Sequence, residues 1–162
     1  VTKTFILATQ KRKASMPQPE PIKVFIADRY PHFRENLRSV FKRKDIDVAG
    51  ETETLVDLLE QLEQVKVDLL ITAHRLNDKS AEYFLPVIKE QFPDVKILML
   101  TLNCSKKVFL EFAEYLDGML CKLSHKADLL EAINEIVVKD KLYVRINKHA
   151  QDIQDQRQNR LR

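Results

Sequence analysis

Five times along this chain a short apolar run gives way to a stretch whose apolar residues recur at helical spacing. No other feature constrains the fold as strongly. Ile22–Ala27 reads Ile-Lys-Val-Phe-Ile-Ala and stops at Asp-Arg-Tyr-Pro, as a buried strand running into a loop does. Phe33, Leu37, Val40 and Phe41 then repeat at helical spacing as far as Lys44, with Pro31 near the start, where its missing N–H costs nothing. The same pairing returns in a strand at 47–53 and a helix carrying Leu55, Leu58, Leu59 and Leu62. It returns again in a strand at 67–73 and a helix at 81–91, and then in a strand at 96–101 and a helix at about 105–116. A short strand at 118–121 is followed by a last helix through Leu129, Leu130, Ile133, Ile136 and Val137, for which Ser124 reads as the N-cap. Strands that are apolar on both faces, strictly alternating with helices over short links, predict right-handed crossovers. They give a doubly wound α/β fold with a parallel sheet. In such a sheet, chemistry collects at the carboxyl ends of the strands, which here are Asp28, Arg29, Ala73, Thr101 and Lys122.

A length of 162 residues, 44% of them hydrophobic, fits one domain with its own core. We divide the chain into a basic N-terminal arm at 1–20, a domain at 21–144 and a polar tail at 145–162. The proline-punctuated stretch from Lys11 to Pro21 leads from the arm into the domain, and the tail is rich in Gln, Asp and Arg. Arm and tail each carry a net charge of +3, whereas 21–144 carries −3, so the core is a poor platform for phosphate backbones and nucleic-acid binding by it is not expected. Apolar runs are too short for a bilayer and no h-region of a secretory signal is visible, which predicts a cytoplasmic protein without membrane attachment. Cys104 and Cys121 form neither a disulfide framework nor a C-x-x-C pair.

Four segments carry a specific likeness: Ile-Lys-Val-Phe-Ile-Ala-Asp-Arg-Tyr-Pro, Val-Asp-Leu-Leu-Ile-Thr-Ala, Ile-Leu-Met-Leu-Thr and Asp-Gly-Met-Leu-Cys-Lys. In order and spacing they resemble the landmarks of a response-regulator receiver domain of the NarL/LuxR type, over about residues 21–144. The resemblance implies a five-stranded sheet of flavodoxin or CheY type, in the order 2-1-3-4-5. It also implies a chemistry, the transfer of a phosphoryl group to an aspartate at the end of the third strand, assisted by magnesium held between that aspartate and two acids after the first strand. Carried over by position, the acceptor is Ala73, the first acid is Asp28 and the second is Arg29. A methyl group has no lone pair for attack on phosphorus, and a guanidinium opposes a cation that wants several oxygen ligands. Thr101 matches the family's strand-end hydroxyl residue and Lys122 its phosphoryl-contacting lysine, while Met119 replaces the switch aromatic. The chain therefore reads as a degenerate pseudo-receiver without cofactor or metal, in which Lys122 and Arg29 share Asp28.

Other residues have blander roles open to them. His74 and Asp78 lie in the loop where a phosphodonor would approach, but neither stands at the strand end and both read as solvated. Cys104 and Cys121 flank Thr101 and Lys122, so a redox pair is conceivable and small core filler is the simpler reading. The stripes Phe109, Phe112, Ala113, Leu116 and Leu129, Ile133, Ile136, Val137 read as core, with any exposed members as interface candidates. The expected function is a non-catalytic, phosphorylation-independent module that binds proteins, including a second copy of itself, in signalling or transcription control. The alternatives are a receiver that senses a small molecule in the vacated pocket, and the regulatory part of a DNA-binding regulator.

Overall fold

The structure is a computed structural model that describes residues 17–42 and 45–146. Most of the basic arm and the tail from 147 onward lie outside the described residues. Strands β1 (Ile22–Ala27), β2 (Ile46–Thr52), β3 (Leu69–Thr72), β4 (Lys96–Thr101), β5 (Gly118–Cys121) and β6 (Tyr143–Val144) form one parallel sheet in the order β2-β1-β3-β4-β5-β6. Helices α1 (Pro31–Phe41), α2 (Leu55–Gln64), α3 (Ala81–Gln91), α4 (Lys106–Phe112) and α5 (Lys126–Ile133) fill the crossovers and cover the sheet.

Alternation along the strands sorts side chains into two cores. Val24 and Ile26, Leu69 and Ile71, and Leu98 and Leu100 meet Leu37 and Phe41 of α1 and Leu129, Ala132 and Ile133 of α5. Phe25 and Ala27, Leu70, Ile97 and Met99 point the other way, against Leu58 of α2, Phe84, Leu85 and Ile88 of α3 and Phe112 of α4. The doubly wound reading of the sequence corresponds to this layering.

The count of five strands is corrected to six. Tyr143 and Val144 pair in parallel with Gly118 and Met119, too short a run to show periodicity in sequence. Gly118 makes this edge possible, since a Cβ there would fall 2.7 Å from the Tyr143 carbonyl and 2.6 Å from Ile136. Boundaries also move. The third strand spans Leu69–Thr72, so Ala73 follows it. The first helix ends at Phe41, and Lys44 lies outside the described residues. The fourth helix ends at Phe112, whose carbonyl takes both Tyr115 N–H and Leu116 N–H in a closing turn. Ser124 is not the cap of α5. Its N–H closes a turn onto Cys121, and His125 stands at the cap position without a side-chain cap bond. After Ile133 the helix widens into a π-helical turn over Asn134–Val138, and Asp140 reverses the chain at φ 52°.

Candidate functional site

β1, an interior strand paired with β2 and β3, delivers Asp28 to the carboxyl edge, where its side chain is 2% exposed. One carboxylate oxygen, Oδ1, accepts the Tyr30 N–H at 2.8 Å, which fixes the turn into α1. The other, Oδ2, faces the Lys122 ammonium at 2.5 Å, across 94 residues of sequence. β5 sets that lysine, because the Lys122 N–H extends the ladder onto the Thr101 carbonyl at 3.0 Å. The Lys122 side chain is 11% exposed, and its Nζ lies 4.4 Å from the Phe33 ring centroid and 5.1 Å from that of Tyr30. A carboxylate and two aromatic faces thus surround one ammonium, the environment that makes a nearly buried cation tolerable.

Arg29 does not share Asp28. Its guanidinium lies over the Tyr30 ring at 4.7 Å and donates to the Tyr30 hydroxyl at 2.5 Å. Both Asp28 oxygens are already engaged, one by the Tyr30 N–H and the other by the Lys122 ammonium. The arginine that serves Asp28 is Arg34, one turn into α1, whose Nη1 donates to the Asp28 carbonyl at 2.5 Å. Arg34 also reaches Glu51 at 3.3 Å and Glu53 at 3.8 Å. Burial alone would raise the Glu51 carboxyl, but the hydrogen bonds and charges of Arg38 and Arg34 outweigh it and hold Glu51 below the usual value. The sequence does not single out Arg34, Tyr30 or Phe33 as site residues, although Phe33 and Arg34 fall on the first turn after the strand end.

Ala73 is buried just beyond β3, its N–H bound to the Ala27 carbonyl. Thr101 is buried and turns its hydroxyl back to accept the Asn103 N–H at 3.1 Å. Met119 is fully buried in the core that holds Val108 and Phe112. The two loop candidates are not simply solvated. His74 packs edge-on against Phe112 with ring centroids 5.3 Å apart. The Asp78 carboxylate caps α2, accepting the Leu55 N–H at 2.8 Å and the Val56 N–H at 3.3 Å. Asp78 is therefore occupied where a negative side chain suits a helix N-terminus.

The family's magnesium does not fit these residues. Of the three positions that would hold it, only Asp28 offers a carboxylate, and an ammonium stands against that carboxylate at 2.5 Å. Among the described residues no group of three or more His, Cys, Asp or Glu is arranged to hold a metal ion. Beside the pair lies a cavity of about 390 Å³ between α1 and α5, lined by Phe33, Leu37, Leu120, Lys122, His125 and Leu129 among others. No helix among the described residues is long and apolar enough to cross a membrane.

Comparison with known proteins bears on the same stretch of chain. VraR, a response regulator protein of Staphylococcus saprophyticus, is 27% identical over 117 residues, which are 71% of this chain and 56% of VraR. YhcZ of Bacillus subtilis, described as an uncharacterized transcriptional regulatory protein, is 32% identical over 81 residues, 49% of this chain and 38% of YhcZ. The chain thus spans about half or less of the length of these curated relatives. The non-phosphorylated receiver domain of the stress response regulator RcsB from Escherichia coli superposes with a TM-score of 0.72 at 23% identity, covering 76% of this chain and 97% of that one. Residues 24–134, which run from within β1 to the end of α5 and include Asp28, Arg29, Ala73, Thr101 and Lys122, match the model of the response regulator receiver domain, and the chain belongs to that family.

Proposed function

We propose that this chain is an atypical receiver, a protein-interaction module of signal transduction or transcription control whose state is set without phosphorylation. One observation carries the reading: the Lys122 ammonium occupies Asp28 at 2.5 Å beside a methyl group at position 73. Where an active site would use an acceptor carboxylate and a metal, an internal ion pair neutralises the remaining acid. A non-catalytic role follows, since neither nucleophile nor Lewis acid is available for phosphoryl transfer. On this reading the partners are proteins, a second copy of the chain among them, and they dock on helix faces whose geometry is fixed by folding.

The test is direct. Acetyl phosphate or beryllofluoride, each with magnesium, is expected to leave mass, melting temperature and oligomeric state unchanged. Recovery of a magnesium-dependent aspartyl phosphate from the unmodified chain overturns the proposal. Ala73→Asp alone is expected to stay unlabelled because Arg29 still stands at the second acid position. The combination Ala73→Asp with Arg29→Asp restores the ligand set on which labelling depends. Strong labelling of the single variant counts against this role for Arg29.

The cavity of about 390 Å³ supports a second reading, in which a small molecule binds beside Lys122 and shifts association. A thermal-shift screen with metabolites separates the two, since only a sensor gains stability from a ligand. The greater length of VraR and YhcZ supports a third, a regulatory part of a DNA-binding regulator joined to its effector through the polar segment after residue 144. Gel-shift assays on the natural gene product distinguish it.

A further inference from the structure

Two thiols meet at the strand ends, and the receiver chemistry uses neither. β4 and β5 run in register with Thr101 opposite Cys121. Met119 faces the core beneath α4, so alternation turns Cys121, two residues on, toward the same side, where the chain leaves β4 for α4. Cys104 lies on that connection, fully buried, and its Sγ donates to the Thr101 carbonyl at 3.3 Å. The same oxygen takes the Lys122 N–H at 3.0 Å, which puts the Cys104 sulfur within reach of the residue next to Lys122. Thr101 thus has Cys121 beside it in the ladder and the Cys104 thiol on its carbonyl, which makes the two cysteines neighbours. Cys121 is only partly buried and lines a surface depression of about 200 Å³ with Leu123, Ser124, Arg145 and Ile146. One thiol is thus reachable from solvent and the other waits behind it.

We propose that Cys104 and Cys121 are a redox site that closes to an intramolecular disulfide when the protein meets a hydroperoxide. In the first step the Cys121 sulfur attacks the outer peroxide oxygen. The O–O bond breaks, and Cys121–SH plus ROOH gives Cys121–SOH plus ROH, or water when R is hydrogen. In the second, the Cys104 sulfur attacks the sulfenic sulfur, the S–O bond breaks, and hydroxide leaves with the Cys104 proton as water. Two thiols have lost two electrons and the peroxide has gained them. A dithiol reductant reverses the bond by exchange through a mixed disulfide. Burial, together with the charge of Cys121 and the hydrogen bond to it, pushes the Cys104 thiol up to about 12. Cys121, the sulfur open to solvent, therefore meets the peroxide first, and the buried Cys104 follows as the resolving thiol. The bond would tie the β4–α4 connection to the end of β5, fixing Thr101 and Lys122 relative to one another. This chemistry is independent of whether the receiver site can be phosphorylated.

The experiment uses the full chain. The reduced protein is exposed in separate arms to hydrogen peroxide and to cumene hydroperoxide, then denatured, alkylated and mapped by mass spectrometry. The expected result is a fall from two alkylated cysteines to none at unchanged monomer mass, apart from two lost hydrogens. A Cys104–Cys121 cross-linked peptide should disappear with dithiothreitol. The faster arm tells whether the oxidant is hydrogen peroxide or an organic hydroperoxide. With Cys104→Ser, dimedone should trap Cys121 as the sulfenic acid, and with Cys121→Ser, Cys104 should remain a thiol. Two free thiols after either peroxide, oxidation of Cys121 beyond the sulfenic state without a cross-link, or cross-linking only between chains would overturn the proposal. The wild-type peptide map decides the matter even if either variant fails to fold.

Discussion

Two lysine–aspartate pairs in this molecule have the same chemistry and different surroundings. Lys122 and Asp28 join the ends of β5 and β1 with side chains 11% and 2% exposed. Lys96 and Asp140 join the start of β4 to the turn before β6 with side chains 34% and 77% exposed. Water can replace either partner of the outer pair. It cannot easily reach the inner pair, so each inner partner depends on the other for its charge. An ion pair is therefore structural in proportion to the desolvation it must offset, and that makes the inner pair the better candidate for holding a receiver in one state.

The largest expected effect is at Asp28. Asp28→Ala leaves the Lys122 ammonium nearly buried with only the Tyr30 and Phe33 rings for company, a loss of about 3–5 kcal/mol in urea unfolding. Asp28→Ala combined with Lys122→Met should recover much of that loss, because an apolar pair needs no counter-charge. Recovery stays incomplete, since the Tyr30 N–H also loses its acceptor. An unfolding midpoint for Asp28→Ala equal to that of the wild type would remove the distinction between the two pairs.

The next effect is at Glu51, between these extremes of exposure. Its carboxyl is held below the usual value: burial opposes the charge, and Arg38 and Arg34 more than compensate. The folded carboxyl thus has a lower pKa than the unfolded one. The stabilisation is present above the unfolded value of about 4.5 and fades as pH falls through the folded one. Acid titration of stability should show wild type losing its advantage over Glu51→Gln below that pH, with the two differing by a constant amount above it. Parallel curves throughout would mean that Glu51 contributes by packing alone.

The same contrast explains what can be read from sequence. Strand and helix order, the two-faced core and the convergence of Asp28, Ala73, Thr101 and Lys122 follow from hydrophobic period and topology, which local residues encode. Lys122 finds Asp28 because both belong to strand ends. Arg29 departs from expectation because a charge count cannot tell which way a side chain leaves the backbone. Asp78 departs from it because capping of α2 is a contact across 23 residues, with no local signature at Asp78 itself. β6 is invisible for a similar reason: two residues have no period, and the clue lies in Gly118, where the absence of a side chain makes room for a neighbouring strand.

The smallest effect is at Asp140, and it tests whether the outer pair matters at all. The hydrogen bond and charge of Lys96 lower the Asp140 carboxyl, so any stabilisation is present above the ordinary carboxylate range and is lost as pH falls below it. Both groups are open to water, and salt should screen what remains. Asp140 has a second role, because its φ of 52° lies in the left-handed region, which Gly, Asn and Asp enter more readily than other residues. The two roles separate by substitution. Asp140→Asn keeps the backbone preference and removes the charge, Asp140→Gly relaxes the backbone further, and Asp140→Ala loses both. If exposure makes the pair weak, Asn and Gly should unfold at the wild-type urea midpoint and only Ala should fall below it. Should Asn fall as far as Ala, the outer ion pair would carry the turn, and solvent exposure would no longer separate the two pairs.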